Sequence, residues 1–140
     1  MSRENKEKFW EGPDPREGFG VFCGLEPGEI AKGEAVFRCR IDQRHLNPHG
    51  IAHGGILFTL MDTAAGTAAA TLCGASRGLV TQCAGIHFLR PALPGLVTAR
   101  AQVLKSGRRT ALVIAEIFDE AEKRLSYADF EIFYLDKKET

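Results

Sequence analysis

The chain has 140 residues, 44% hydrophobic and 26% charged, which suits one soluble globular domain and excludes a disordered chain. Eighteen basic side chains balance eighteen acidic ones, so no net charge directs it to nucleic acid or to a membrane surface. Cys23, Cys39, Cys73 and Cys83 lack C-x-x-C spacing, which points to free thiols and a reducing, cytoplasmic setting.

In chain order, residues 1–17 form a charged extension with no apolar signal-peptide core. A short helix is expected over residues 2–10, ending on Phe9 and Trp10 and broken by Pro13 and Pro15. The stretch GFGVFCGLE, 18–26, reads as a first strand, closed by a Pro27–Gly28 turn. Residues 34–41 alternate, with Ala35, Phe37, Cys39 and Ile41 on one face and Val36, Arg38 and Arg40 on the other. A loop follows over 42–50.

Residues 53–72 predict a long helix, about 30 Å at 1.5 Å per residue. It is apolar nearly all round and rich in Ala and Gly, so burial on most sides is expected. Its apolar run, 56–72, is short for a membrane span and carries Asp62, so a core helix is the reading. Four strands follow at 79–90, 96–105, 109–118 and 124–134, with turns at PALPG, KSGR and DEAEK. The links between the last three are too short for parallel crossovers and make an antiparallel meander. The strand at 109–118 is apolar on both faces, which suggests a second subunit against it. The domain therefore spans 18–135, with a solvated tail at 136–140. The class is α+β: one long central helix wrapped by a curved antiparallel sheet of about six strands.

Three features of the helix region carry chemistry. Asp62 places a carboxylate in an apolar run, where it must be hydrogen-bonded, paired or open to solvent. Its small neighbours leave room for a ligand, or equally for close packing. His53-Gly54-Gly55 stands at the helix entrance, where first-turn N–H groups lack partners and carry partial positive charge. Such a turn can stabilise an oxyanion or simply start a helix. Asn47, in the same loop, orients a carbonyl or water, or holds an Asx turn before Pro48.

Together these residues resemble a known family. The pattern N-x-x-G-x-x-H-G-G (Asn47, Gly50, His53, Gly54, Gly55) is followed by Asp62, eight residues after Gly54. It is similar to the hotdog-fold acyl-CoA thioesterases of the phenylacetic acid degradation type. The FLRPA ending at 88–92 and the element order from 18 to 134 extend the likeness. The resemblance implies a hotdog fold, acyl-CoA as substrate, no cofactor, and a homodimer with active sites at its interface, two dimers usually forming a tetramer. It implies Asp62 as general base or nucleophile, the Gly54 N–H as oxyanion donor, Asn47 as orienting residue and Thr81 as the strand hydroxyl assisting the carboxylate. His53 would hold the loop. Asn47 and Gly54 would come from one subunit, Asp62 and Thr81 from its neighbour.

For the phosphates of coenzyme A, the KSGRR turn offers Lys105, Arg108 and Arg109, which Arg77 and Arg90 join across a subunit boundary. The competing reading is a solvated hairpin tip. Gly55 is also assigned to CoA, and Phe58 and Met61 to the acyl pocket. His45, His49 and His53 recur at four-residue spacing, but Pro48 and Gly50 exclude a shared helix face, so no metal is expected. A silent acyl-CoA-binding hotdog module would not need Asp62. A hotdog dehydratase or hydratase pairs His with an acid at a spacing absent here.

Overall fold

The computed structural model describes residues 18–74 and 77–136. The helix expected over 2–10 and residues 137–140 of the tail lie outside these. Helix α1 (Phe19–Cys23) leads to β1 (Leu25–Ala31) and β2 (Glu34–Ile41). A 3-10 turn (Gln43–His45) and a loop precede helix α2 (Gly54–Cys73). Strands β3 (Arg77–Phe88), β4 (Gly95–Ser106), β5 (Thr110–Phe118) and β6 (Arg124–Asp136) complete the order. All six form one antiparallel sheet in the order β1-β2-β4-β5-β6-β3.

The strand expected over 18–26 is a correction. Phe19, Phe22 and Cys23 have helical spacing, and Gly24 (φ 81°) ends the turn by donating to Gly20 O and Val21 O. The strand begins at Leu25 and runs through Pro27–Gly28. Proline is tolerated because β1 is an edge, and a bulge between Pro27 and Ile30 absorbs the irregularity. The hairpin turn falls at Gly33 (φ 76°) instead. The expected strand 34–41 coincides with β2, and β4–β5–β6 form the expected meander. The last strand extends to Asp136, which the expected tail had included.

Helix α2 is long and apolar enough, by length and composition alone, to cross a membrane. It is instead the core rod. Ile56, Leu57, Leu60, Met61, Ala64, Ala65, Ala68 and Ala69 are buried at i, i+1, i+4 spacing. They face Val97, Ala99, Val113, Ala115, Phe130 and Ile132 of the strands. The four alanines let the sheet come close to the helix axis, which is why it can curve around it. Burial on most sides is not found within one protomer. Phe58 and Ala70 are exposed, and Thr59, Asp62, Thr63, Gly66 and Thr67 are partly open. The rod has a packed face and an outer face.

Strand β3 is an edge, and its residues Val80–Gly85 are exposed on both faces. Twelve residues of open backbone, roughly 40 Å at 3.3 Å per residue, make a long pairing template. On β5, Ala111, Val113, Ala115 and Ile117 are buried, while Leu112 stays exposed on the outer face.

The close helix–sheet approach yields a prediction. Ala68 is fully buried, so Ala68→Leu is expected to cost about 1–3 kcal/mol by overpacking. A urea titration of the two proteins measures the drop in midpoint.

Candidate active site

Each candidate residue is positioned by a short piece of local chemistry. His53 is the N-cap of α2; its ring Nδ1 accepts the Gly55 N–H at 2.8 Å. The Ile56 N–H reaches His53 O at 3.1 Å. Two of the first three helix donors are thus consumed. The third, Gly54 N–H, has no protein acceptor among the described residues. A single unpartnered donor therefore stands at the positive end of a 20-residue helix.

Glycine at 54 has a steric reason. A Cβ there would lie 2.9 Å from Phe88 Cζ, so any side chain would push that ring aside. At Gly55 a Cβ would sit 3.0 Å from His53 Nδ1. Phe88 entered the sequence reading only as the aromatic of the FLRPA ending, with no role at the helix entrance. Its parity with Ala84 and Ile86, all opposite inward-facing β6 residues, is the signal that could have found it.

Asp62 lies on the outer face of α2, and Thr81 Oγ1 donates to its Oδ1 at 2.6 Å. A bulge between Thr81 and Cys83 disturbs the β3–β6 register beside that threonine. The carboxylate needs no buried counter-ion because it is partly open. Asn47 Oδ1 accepts the His49 N–H at 2.9 Å, the Asx turn anticipated for it, which leaves its NH₂ as a donor. Asn47 N and Gly50 N bond within the same loop, to Ile51 O and Asn47 O.

The other candidates occupy varied positions. Met61 is fully buried on the sheet side of α2, so it does not line an open acyl pocket; residue 61 shares the face of Leu57, Ala64 and Ala68. Phe58, 37% exposed, lies on the outer face with its ring 5.8 Å from that of Phe130. The Gly55 N–H is held by His53 and is not available to CoA. Arg90 Nη1 donates to Arg124 O at 2.9 Å, near the end of β3 remote from Arg77. Lys105 is exposed on β4.

Arg77, Arg108 and Arg109 meet within one protomer, rather than across a subunit boundary as expected for Arg77, and line a cavity of about 180 Å³ with Tyr134 and Asp136. They are not equivalent. Arg77 Nη1 donates to Arg108 O at 2.8 Å, and its guanidinium stacks 5.2 Å from the Tyr134 ring centroid. Its Nε is buried without a hydrogen bond, although Asp136 Oδ1 lies 3.8 Å away. That distance is an ion pair without hydrogen-bond geometry. Arg77 thus clasps β3 to the ends of β5 and β6, whereas Arg108 and Arg109 are exposed.

A larger recess of about 520 Å³ lies on the outer face of the sheet, lined by Val36, Arg100, Glu116, Phe118, Arg124 and Tyr127 among others. It is on the opposite side of the sheet from Asp62. Its arginines are already engaged, Arg100 with Glu122 and Arg124 with Glu116. Burial pushes the Cys39 thiol up to about 11 and raises that of Cys73, so neither supplies a thiolate nucleophile near neutral pH.

A long central helix wrapped by six antiparallel strands, with a polar site on its outer face, is the hotdog fold. A family model described as the thioesterase superfamily matches residues 49–126. The acyl-coenzyme A thioesterase PaaI of Escherichia coli (strain K12) is 36% identical over 106 residues, 74% of this chain and 72% of that protein. The solved E. coli PaaI protein of the phenylacetic acid degradation operon superposes with a TM-score of 0.80 at 28% identity, covering 94% of this chain and 91% of that one. The conserved protein PA5202 of Pseudomonas aeruginosa gives 0.84 at 29% identity over 96% and 100%. The chain belongs to the thioesterase superfamily, and its chemistry is thioester hydrolysis.

The two classes of arginine separate experimentally. Arg77→Met is expected to lower stability by about 1–3 kcal/mol, since it strips a half-buried clasp. Arg108→Ala is expected to stay within about 0.5 kcal/mol. Chemical denaturation of both variants checks the contrast.

Proposed function

We propose that this protein hydrolyses acyl-CoA thioesters in a site shared by two copies of the chain. The observation that carries the reading is the Thr81–Asp62 hydrogen bond, which holds a carboxylate on the outer face of α2. The same helix begins with the unpartnered Gly54 N–H. Eight residues separate the two, about 12 Å along a straight helix at 1.5 Å per residue. That is too far for one protomer to offer both to a single thioester.

Two copies remove the difficulty. If two α2 helices lie antiparallel, Gly54 of one faces Asp62 of the other, and Phe58, midway between them, falls at the two-fold axis. The exposure of Phe58 supports this arrangement. So does the open edge of β3, which can pair with its own copy and close both edges at once. Antiparallel pairing there brings the Arg77 end of one strand beside the Arg90 end of the other.

The chemistry then follows. The thioester carbonyl oxygen accepts the Gly54 N–H, and Asn47 Nδ2 steadies the carbonyl or the attacking water. Asp62, with Oδ1 held by Thr81, accepts a water proton through Oδ2 as the oxygen bonds to the acyl carbon. The carbon–sulfur bond breaks as the tetrahedral intermediate collapses. The proton passes from Asp62 to the departing thiolate, releasing free acid and CoA. The helix N-terminus stabilises the oxyanion without reorganising. No metal or cofactor has a part in this scheme. Arg108 and Arg109, exposed beside the Arg77 clasp, suit the phosphates of CoA.

A panel of acyl-CoAs with a thiol-reactive dye tests the reading directly: CoA release supports it, and tight binding without release would replace it with a silent binding module. Asp62→Asn is expected to lose about 10²–10⁴-fold in kcat while remaining folded by circular dichroism. Near-normal turnover in that variant removes Asp62 from the mechanism. In steady-state kinetics, Arg108→Ala/Arg109→Ala is expected to raise KM for acyl-CoA more than it lowers kcat.

A further inference from the structure

Among the described residues two polar side chains are buried, Ser126 and His45. Ser126 has no hydrogen-bond partner there, whereas both ring nitrogens of His45 are engaged. His45 Nε2 lies 2.7 Å from Cys23 O, which can only accept, so Nε2 carries the proton. Nδ1 takes the Asp42 N–H at 3.0 Å. The Asp42 carboxylate also approaches Nδ1, at 3.4 Å, but that nitrogen's lone pair is already occupied by the backbone donor, so this is no ion pair. The network therefore assigns one neutral tautomer. Asp42 completes a capping box around the 3-10 turn by accepting the Arg44 N–H, with His45 in the place usually taken by Glu or Gln.

The backbone of the same residue reaches the site. His45 O accepts the His53 N–H at 2.8 Å. Leu46 and Ala52 form an isolated bridge just inside that bond, closing the loop that carries Asn47. On its other side the His53 C=O is held by the Ile56 N–H. The His53–Gly54 peptide is planar, so its N–H points opposite to that carbonyl. Both ends of His53 are therefore pinned, and the direction of the Gly54 N–H is set by the pins. Without them, a His-Gly-Gly segment would have ample freedom to turn the donor away.

We propose that His45 is a positioning residue for the oxyanion donor: its imidazole locks α1, the end of β2 and the helix entrance together, and so aims the Gly54 N–H. This rests on the reading of Gly54 as that donor. The ring does not touch the substrate; it acts through the His45–His53 backbone bond. His45→Leu fills a similar volume and loses both ring bonds. His45→Gln keeps a donor at the position of Nε2, facing Cys23 O.

The test combines kinetics with the Gly54 amide resonance in ¹⁵N-labelled full-length protein. His45→Leu is expected to lower kcat about ten- to a hundredfold, the scale of a misplaced oxyanion donor. KM should stay within about threefold, since this donor bonds the ground-state carbonyl weakly and the transition-state oxyanion strongly. His45→Gln should recover part of the loss, and the Gly54 amide should shift in the leucine variant and return toward its native position in the glutamine one. Loss of thermal stability with kcat and the Gly54 amide unchanged would show a purely structural residue and overturn the proposal. If the leucine variant fails to fold, the glutamine variant is read by the same two criteria against the native protein. A native protein that cleaves no thioester would defeat the functional reading instead. The amide shift would still decide whether His45 controls the peptide.

Discussion

The structure depends on how closely a sheet can approach one helix. Ala64, Ala65, Ala68 and Ala69 put almost no side chain between the α2 backbone and the strands, and all four are fully buried. The facing strands answer with Ala99, Ala101, Ala115 and Ala128 among larger residues. A sheet held this near must curve around the rod, and a curved sheet leaves the opposite side of the rod uncovered. The packed face thereby creates the open one. Asp62, Phe58 and the helix entrance are accessible because the alanines are not.

A rigid helix also fixes distances that no side-chain rotation can change. The unpartnered Gly54 N–H and the Thr81-held carboxylate of Asp62 are on one rod, eight residues apart. Hydrolysis of a thioester needs a donor at the carbonyl oxygen and a base at the water, a few ångströms from one another. In the proposed mechanism the symmetry of a dimer meets that requirement without bending the helix. The open β3 edge and the exposed Phe58 are then parts of the same solution rather than separate defects. The strand that offers Thr81 to the acid is also the strand with unpaired backbone.

The helix entrance shows how a polar site is held in a mostly apolar chain. Three consecutive donors begin α2, and His53 accounts for two of them through its ring and its carbonyl. Exclusion of the third is a matter of arrangement, not of any special residue. Phe88 covers the Cα of Gly54 and so excludes a side chain there, while His45 anchors His53 from behind. Apolar contact and buried hydrogen bonds act together on one peptide plane.

Much of this was legible in the sequence. Alternation marked β2 because one of its faces is buried and the other is not, and short apolar runs between turn signals marked β4, β5 and β6. The rod was legible from its length and small residues, and the motif from Asn47 to Asp62 pointed to the hotdog thioesterases. The failures have physical causes. The first strand was displaced because glycines flank a helical Phe-x-x-Phe-Cys pattern, and an edge strand tolerates the Pro-Gly that reads as a turn. Met61 was assigned to a pocket because a helix apolar nearly all round does not say which side meets the sheet. Arg77 could be grouped with Arg108 and Arg109, but only the packed ends of β3, β5 and β6 distinguish a half-buried clasp from exposed cations. His45 looked like one of three spaced histidines until both its nitrogens were found bonded to backbone. Local pattern, then, determined the elements, their order and the chemically capable residues, since periodicity and turn preference are properties of neighbouring residues. Tertiary structure alone decided which face of the rod is open, which donors stay unpartnered and which arginines are spent, because each depends on contacts between residues distant along the chain.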